Sequence, residues 1–112
     1  MIAGCEDGHG GKSFYDALAT ANSPEEVLEN VSKISRNKTQ PDQWEYQILA
    51  RILSNFQVIL VSDLCDSTMI KAMHIEHAMK FDDALEMAFK KQGQEATIAV
   101  IPNGISVIPK SS

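Results

Sequence analysis

The amino-acid sequence predicts an α/β fold of three layers, in which helices flank a mainly parallel sheet within a single compact domain. Short apolar runs typical of strands alternate with segments whose apolar residues recur at helical spacing. Residues that favour helix starts and stops stand between these segments. The run 57–62 contains four consecutive β-branched or aliphatic residues, which is typical of a central strand covered on both faces.

Composition excludes several classes of protein. The chain has 112 residues, enough for one domain with a core of its own. Ten basic and fifteen acidic residues give a net charge of −5, which argues against a nucleic-acid partner. No apolar run approaches the roughly 20 residues of a membrane span. Cys5 and Cys65 show neither metal nor disulfide spacing, so we expect free thiols in a cytoplasmic protein.

The chain begins on a predicted strand, Met1–Ala3, and this abrupt start hints at a longer protein. A glycine-rich loop follows, and then a helix with one apolar face formed by Phe14, Ala17, Leu18 and Ala21. We therefore expect a strand, a loop and a helix in succession.

Two further helices carry clear start signals. Ser23 suits the N-cap of the second helix, with Pro24 in its first turn and Glu26 completing a capping box. Pro41 and Asp42 open the third helix. Its wide apolar stripe predicts the best-buried helix of the chain; the stripe consists of Trp44, Ile48, Leu49, Ile52 and Leu53.

The second half of the chain continues the alternation of strands and helices. We expect a strand over 57–62, a short helix near 69–73 and an extended segment over 74–79. A helix follows, with Asp82 and Asp83 in its first turn and Gly93 as its C-cap. The chain then continues with a strand over 97–101, a turn over 102–104 and an extended piece over 105–108.

The glycine-rich loop is the first candidate site, formed by Asp7, Gly8, His9, Gly10 and Gly11. Its glycines permit close backbone approach to a ligand, and backbone N–H groups at a helix start favour anions. The histidine can titrate, and the acid could orient it. A mobile surface loop is the alternative. A phosphate- or nucleotide-binding domain is a further alternative, although the sequence has neither the dinucleotide-binding fingerprint nor the lysine spacing of a P-loop.

Ligands of parallel sheets collect beyond the carboxyl ends of the strands. Here those ends carry two loops, 4–12 and 62–66, which we expect to lie side by side. This edge is the best physical candidate for a site.

Other residues keep two interpretations open. Trp44 could stack over a ligand near a helix start, or it could pack in a core or a domain interface. His74 and His77 would share one face and could chelate a metal if their segment were helical. If the segment is extended, which is the interpretation we favour, the two side chains point to opposite faces and cannot chelate. Cys5 and Cys65 flank the expected cleft without an obvious base or cationic neighbour, which argues against reactive-thiol chemistry.

Three segments are distinctive in combination: DGHGGKSFY at 7–15, PDQWEYQILARIL at 41–53 and ATIAVIPNG at 96–104. In this order they resemble the C-terminal part of the nickel-dependent lactate racemase family, and the likeness runs over essentially all 112 residues. Enzymes of that family are several times longer and have two α/β domains flanking a cleft.

The resemblance implies a 2-hydroxy acid racemase or epimerase, an isomerase. In that family a nickel pincer nucleotide, derived from nicotinic acid and tethered to a lysine, takes a hydride from the substrate α-carbon and returns it, while two histidines act on the hydroxyl. Those residues belong upstream, so we assign this chain no catalytic residue, no metal ligand and no cofactor of its own. Trp44 aligns with a tryptophan that lines the substrate pocket.

We therefore predict that residues 1–112 form the cleft-closing C-terminal domain of such an enzyme, inactive alone. Its expected partners are the N-terminal catalytic domain of the same protein and a small 2-hydroxy acid. Substrate-binding roles are predicted for Trp44 and for the loop 7–11. The alternative is a stand-alone module of the same fold that binds a small carboxylate or another protein.

Overall fold

A computed structural model describes residues 1–110. Within them the chain forms five α-helices and two short strands, with a single 3-10 turn at Arg36–Lys38. In chain order the elements are α1 (Lys12–Ala19), α2 (Pro24–Ser32), α3 (Gln43–Leu53), β1 (Ile59–Val61), α4 (Ser67–Ala72), β2 (Glu76–Ala78) and α5 (Phe81–Gln92). The α/β class predicted from the sequence is confirmed.

The sheet is parallel and β1 lies at its centre. β1 pairs with β2 in the register Leu60 to His77. On its other side a single parallel bridge joins Ile2 to Val61, with the Val61 amide donating to the carbonyl of Met1 at 2.8 Å. The segment 1–3 therefore occupies the predicted strand position, although only one residue of it bridges.

Both faces of β1 are covered, as the apolar run 57–62 predicted. Leu60 belongs to the main core, which also contains Leu18 of α1 and Ile70 of α4. Because neighbouring strand residues point to opposite faces, Val61 joins a second cluster, with Ala84 of α5. α5 thus forms the third layer, behind the sheet.

Local signals explain the helix ends. The Ser23 hydroxyl accepts a hydrogen bond from the Glu26 amide at 3.2 Å, as the predicted N-cap requires. The Glu26 carboxylate reaches back to the Asn22 backbone and side chain, each at 2.8 Å, one residue before the expected partner. Gly93 ends α5 with φ 94°, where a residue with a side chain is disfavoured.

The expectation that the wide apolar stripe of α3 is buried is wrong for part of that stripe, although α3 has two buried residues where each other described helix has one. Only Tyr46 and Ala50 are buried, since α1 and α2 pack against one side of the helix. Ile48 and Ile52 are 49% and 41% exposed, and Trp44 of the same stripe is exposed as well. The apolar stripe is wider than the surface that the described chain supplies to cover it.

The expected strand 97–101 is also wrong, and the segment 105–108 forms no sheet pairing within residues 1–110. Ile98 and Val100 are 55% and 83% exposed. A β-forming sequence becomes a strand only if a partner strand offers hydrogen bonds. The described chain brings no such partner to this segment. The extended segment expected over 74–79 is likewise shorter, since His74 adopts φ 64° and only 76–78 pair.

None of the helices in the described part of the chain is long and apolar enough to cross a membrane.

Candidate functional site at the carboxyl edge of the sheet

Hydrogen bonds join the two loops at the carboxyl edge of the sheet, 4–12 and 62–66. The Ser62 hydroxyl donates to the Gly4 carbonyl at 3.1 Å. The Cys65 thiol lies 3.5 Å from the carbonyl oxygen of Cys5, within reach of a weak S–H hydrogen bond. The prediction that the loops 4–12 and 62–66 lie side by side is thus confirmed by direct contacts.

The glycine-rich loop turns tightly after Gly4. Cys5 adopts φ 54°, and its carbonyl accepts the amide of Gly8 at 3.0 Å. Gly8 and Gly10 have φ 66° and 80°, which glycine tolerates without steric cost. Asp7, Gly8 and Gly10 are exposed. At Gly8 and Gly10 the loop therefore presents its backbone to the surroundings, next to the exposed residue Asp7.

His9 is held by an aromatic neighbour. Its ring stacks on Tyr15 with centroids 4.9 Å apart and planes inclined by 22°. The Nδ1 atom is buried and has no hydrogen-bond partner among the described residues. Asp7 makes no hydrogen bond to the ring within residues 1–110, so stacking, rather than a carboxylate, orients it.

The start of α3 adjoins this loop. A Cβ atom on Gly11 would lie 3.2 Å from Oδ2 of Asp42, so the end of the loop contacts the residue that precedes α3. Asp42 itself adopts φ 57°. Trp44 follows two residues later and is 66% exposed. Core packing of Trp44, one alternative left open by the sequence, is excluded for the described chain. The structure places its helix start beside the loop.

An apolar cavity of about 400 Å³ lies beneath the loop. Its lining includes Gly8 and His9 from the loop, Phe14 from α1 and both cysteines. Burial, and then the Cys65 thiol, raise the pKa of the Cys5 thiol, so Cys5 is protonated at neutral pH. The candidate site therefore has a polar backbone rim above an apolar floor.

The two histidines of the second half have structural roles. Nε2 of His74 lies 3.0 and 3.1 Å from the carbonyl oxygens of Leu18 and Ala21. Nε2 of His77 lies 2.7 Å from the carbonyl oxygen of Ser62. Each ring thus ties one part of the backbone to another, and the two do not converge on a common point for a metal.

The residues present do not fit the nickel group that the resemblance implies. Across residues 1–110 no three His, Cys, Asp or Glu side chains cluster as metal ligands require.

Ser62 and Tyr15 were not singled out by the sequence, although both organise the loop. Ser62 is the one buried polar residue of the described core, at 4% exposure, and it links both loops. Its position directly after the four apolar residues of the run 57–62 is the signal that could have identified it. For Tyr15, one turn inside α1, nothing in the sequence predicts stacking on His9.

Comparison with known proteins gives one consistent result. Residues 1–109 match the model of the lactate racemase C-terminal domain. The chain is 49% identical to lactate racemase of Lactiplantibacillus plantarum over 110 residues, covering 98% of this chain and 26% of that protein. It is 42% identical over 108 residues to lactate racemase of Thermoanaerobacterium thermosaccharolyticum, covering 96% and 25%.

The fold agrees with a solved structure of the same kind. The lactate racemase apoprotein from Thermoanaerobacterium thermosaccharolyticum matches with a TM-score of 0.94 and 40% identity, over 98% of this chain and 26% of that one. The chain thus spans about a quarter of the length of the relatives it matches. By the match over 109 of its residues, the chain belongs to the lactate racemase C-terminal domain family.

Proposed function

We propose that this chain is the cleft-closing C-terminal domain of a lactate-racemase-like isomerase and that it contacts a small 2-hydroxy acid. The observation that carries the proposal is Trp44, which is 66% exposed on a helix that starts beside the glycine-rich loop. A large aromatic side chain left open to solvent at such an edge is typical of a surface that becomes covered.

Trp44 would act by excluding water. Closing a cleft over a small substrate removes solvent from the reacting atoms and fixes the orientation of the substrate. A flat aromatic ring can do this without competing for the substrate hydroxyl. The cytoplasm, where free thiols persist, is the proposed location.

The loop would supply polar contacts. Gly11 caps α1 without a side-chain hydrogen bond, and no acidic residue stands in the first turn of that helix. Its first N–H groups are therefore available to a carboxylate, which a helix N-terminus favours. The loop 7–11 would orient the carboxylate of the substrate in this way.

The chemistry itself is proposed for the other part of the enzyme. A nickel pincer nucleotide in that part would supply the hydride transfer. Residues of this chain would bind, orient and shield the substrate.

The test is a chimera. The matching 110-residue segment of the Lactiplantibacillus plantarum enzyme is replaced by residues 1–110 of this chain, and lactate racemisation is measured in the loaded enzyme. We expect the chimera to racemise lactate. Trp44→Ala should lower kcat/KM about ten-fold or more, which corresponds to about 1.4 kcal/mol of lost transition-state stabilisation.

Two variants serve as controls. Trp44→Phe should retain part of the activity, because an aromatic ring remains. Phe56→Ala removes a side chain that is 69% exposed at the opposite end of β1, and it should leave kcat/KM unchanged. A folded chimera without racemase activity would contradict the proposal. Saturable binding of lactate to the chain by itself would favour the stand-alone carboxylate-binding module instead.

A further inference from the structure

Two cysteines that are 60 positions apart in sequence meet where the two loops join. The Cys65 thiol lies 3.5 Å from the carbonyl oxygen of Cys5, and its proximity adds to burial in raising the pKa of the Cys5 thiol. Both side chains are partly buried, and both line the cavity beneath the glycine-rich loop. Neither is bonded to another cysteine.

From this juxtaposition we propose that Cys5 and Cys65 form a reversible thiol–disulfide site that responds to low-molecular-weight disulfides such as glutathione disulfide. The site goes beyond the proposed racemase role and does not depend on it. No other cysteine occurs in the chain, so a disulfide formed within it can only join these two.

The reaction proceeds by two exchanges. The Cys65 thiolate attacks one sulfur of glutathione disulfide, forming a mixed disulfide and releasing one glutathione thiolate. Cys5 then gives up its proton to solvent and attacks the Cys65 sulfur, which releases the second glutathione. Two protein thiols are oxidised to one disulfide, and one glutathione disulfide is reduced to two thiols. Cys65 is assigned the first attack because burial raises the pKa of Cys5.

Oxidation would reach the glycine-rich loop. In the reduced chain the Cys5 carbonyl oxygen accepts a hydrogen bond from the Cys65 thiol and another from the Gly8 amide. A disulfide removes the thiol proton and fixes the loop 4–12 covalently to the loop 62–66. The backbone around Gly8 and Gly10 is therefore expected to shift on oxidation.

The test is oxidation of the 112-residue chain in glutathione buffers of increasing disulfide content, followed by alkylation of the remaining thiols and mass spectrometry. We expect a monomer that has lost two hydrogen atoms and takes up no alkylating reagent. Trypsin should release Met1–Lys12 joined to Ile52–Lys71, and excess reduced glutathione should restore both thiols. The Gly8 and Gly10 amide resonances should move with the same midpoint.

Cys5→Ser provides the matched control. This variant should stop at glutathione attached to Cys65, since no second thiol can displace it. Three results in the unmodified chain would overturn the proposal: glutathione remaining on both cysteines, disulfide-linked dimers, or thiols that stay fully alkylatable in the most oxidising buffer. Because these results are read from the unmodified chain, poor folding of the serine variant cannot produce them.

Discussion

The hydroxyl of Ser62 and the carbonyl of Gly4 form a hydrogen bond of 3.1 Å that connects positions 58 residues apart. The Ser62 Oγ atom also lies 3.4 Å from the backbone nitrogen of Leu64 and accepts a hydrogen bond from that amide. One buried hydroxyl thus positions both loops of the candidate site. Local secondary structure alone would leave those loops independent of each other.

Replacement of this hydroxyl should be costly. Ser62→Ala leaves a carbonyl without its partner, and we expect it to lower the free energy of unfolding by about 1–2 kcal/mol in urea titrations. Ser32→Ala is the control, because the exposed Ser32 hydroxyl donates only to Glu29 in its own helix. Equal losses in the two variants would contradict the linking role of Ser62.

Trp44 and Tyr46 lie two residues apart on α3 but differ in burial. Tyr46 is 5% exposed, so Tyr46→Ala should cost about 3–4 kcal/mol of unfolding free energy. Trp44→Ala should change it by less than about 0.5 kcal/mol, since the ring is open to solvent. Urea unfolding followed by circular dichroism measures both. A large loss at Trp44 would show that the ring packs within the chain.

His74 should stabilise the contact between α1 and the turn after α4. His74→Ala removes the ring nitrogen that lies near two carbonyl oxygens, and it places alanine at φ 64°. We therefore expect the free energy of unfolding to fall by about 2–3 kcal/mol. Asparagine tolerates that backbone conformation, so His74→Asn should lose less. The difference between the two variants, measured by thermal unfolding, separates backbone strain from the hydrogen bonds.

Glu26 makes stability depend on pH. Hydrogen bonds from the Asn22 backbone and side chain lower its pKa below the usual 4.5. A carboxyl whose pKa is depressed on folding stabilises the native state above its unfolded pKa, and that contribution is lost as the pH falls through the folded pKa. The urea midpoint should therefore fall on acidification below 4.5, and Glu26→Gln should show a smaller fall. An equal fall in both proteins would assign the effect to other groups, such as Glu25, whose pKa is also lowered.

Gly10 should tolerate no side chain without strain. Its φ of 80° disfavours L-residues, so Gly10→Ala should cost about 1–2 kcal/mol although the space around it is open. Gly104 also has open space but no positive φ, and Gly104→Ala should change stability by less than about 0.5 kcal/mol. Similar effects at both positions would mean that the loop relaxes around alanine.

Features with a local cause could be predicted from the sequence. The start of α2 follows from Ser23 and Pro24, and the end of α5 follows from Gly93, because each signal acts within one helical turn. The adjacency of the two loops followed from parallel-strand geometry alone.

The failures involve surfaces and pairings that are not local. An apolar stripe such as that of α3 predicts burial but does not identify what covers it, so the exposure of Trp44 and Ile48 could not be foreseen. The segment 97–101 has the residues of a strand, but no strand within residues 1–110 pairs with it. The bond between Ser62 and Gly4 depends on tertiary placement. The substrate-binding roles of Trp44 and of the loop 7–11 remain predictions.

The segment 97–101, which pairs with no strand in the described part of the chain, has a practical consequence for handling this protein. Four of its five residues have high β-propensity, none is charged and Val100 is 83% exposed, which is the kind of sequence that stacks between molecules. Concentrated samples should therefore aggregate through this segment, with intermolecular β-structure visible by infrared spectroscopy. A lysine in place of Val100 should delay that aggregation, as charged gatekeepers do at the edges of natural sheets.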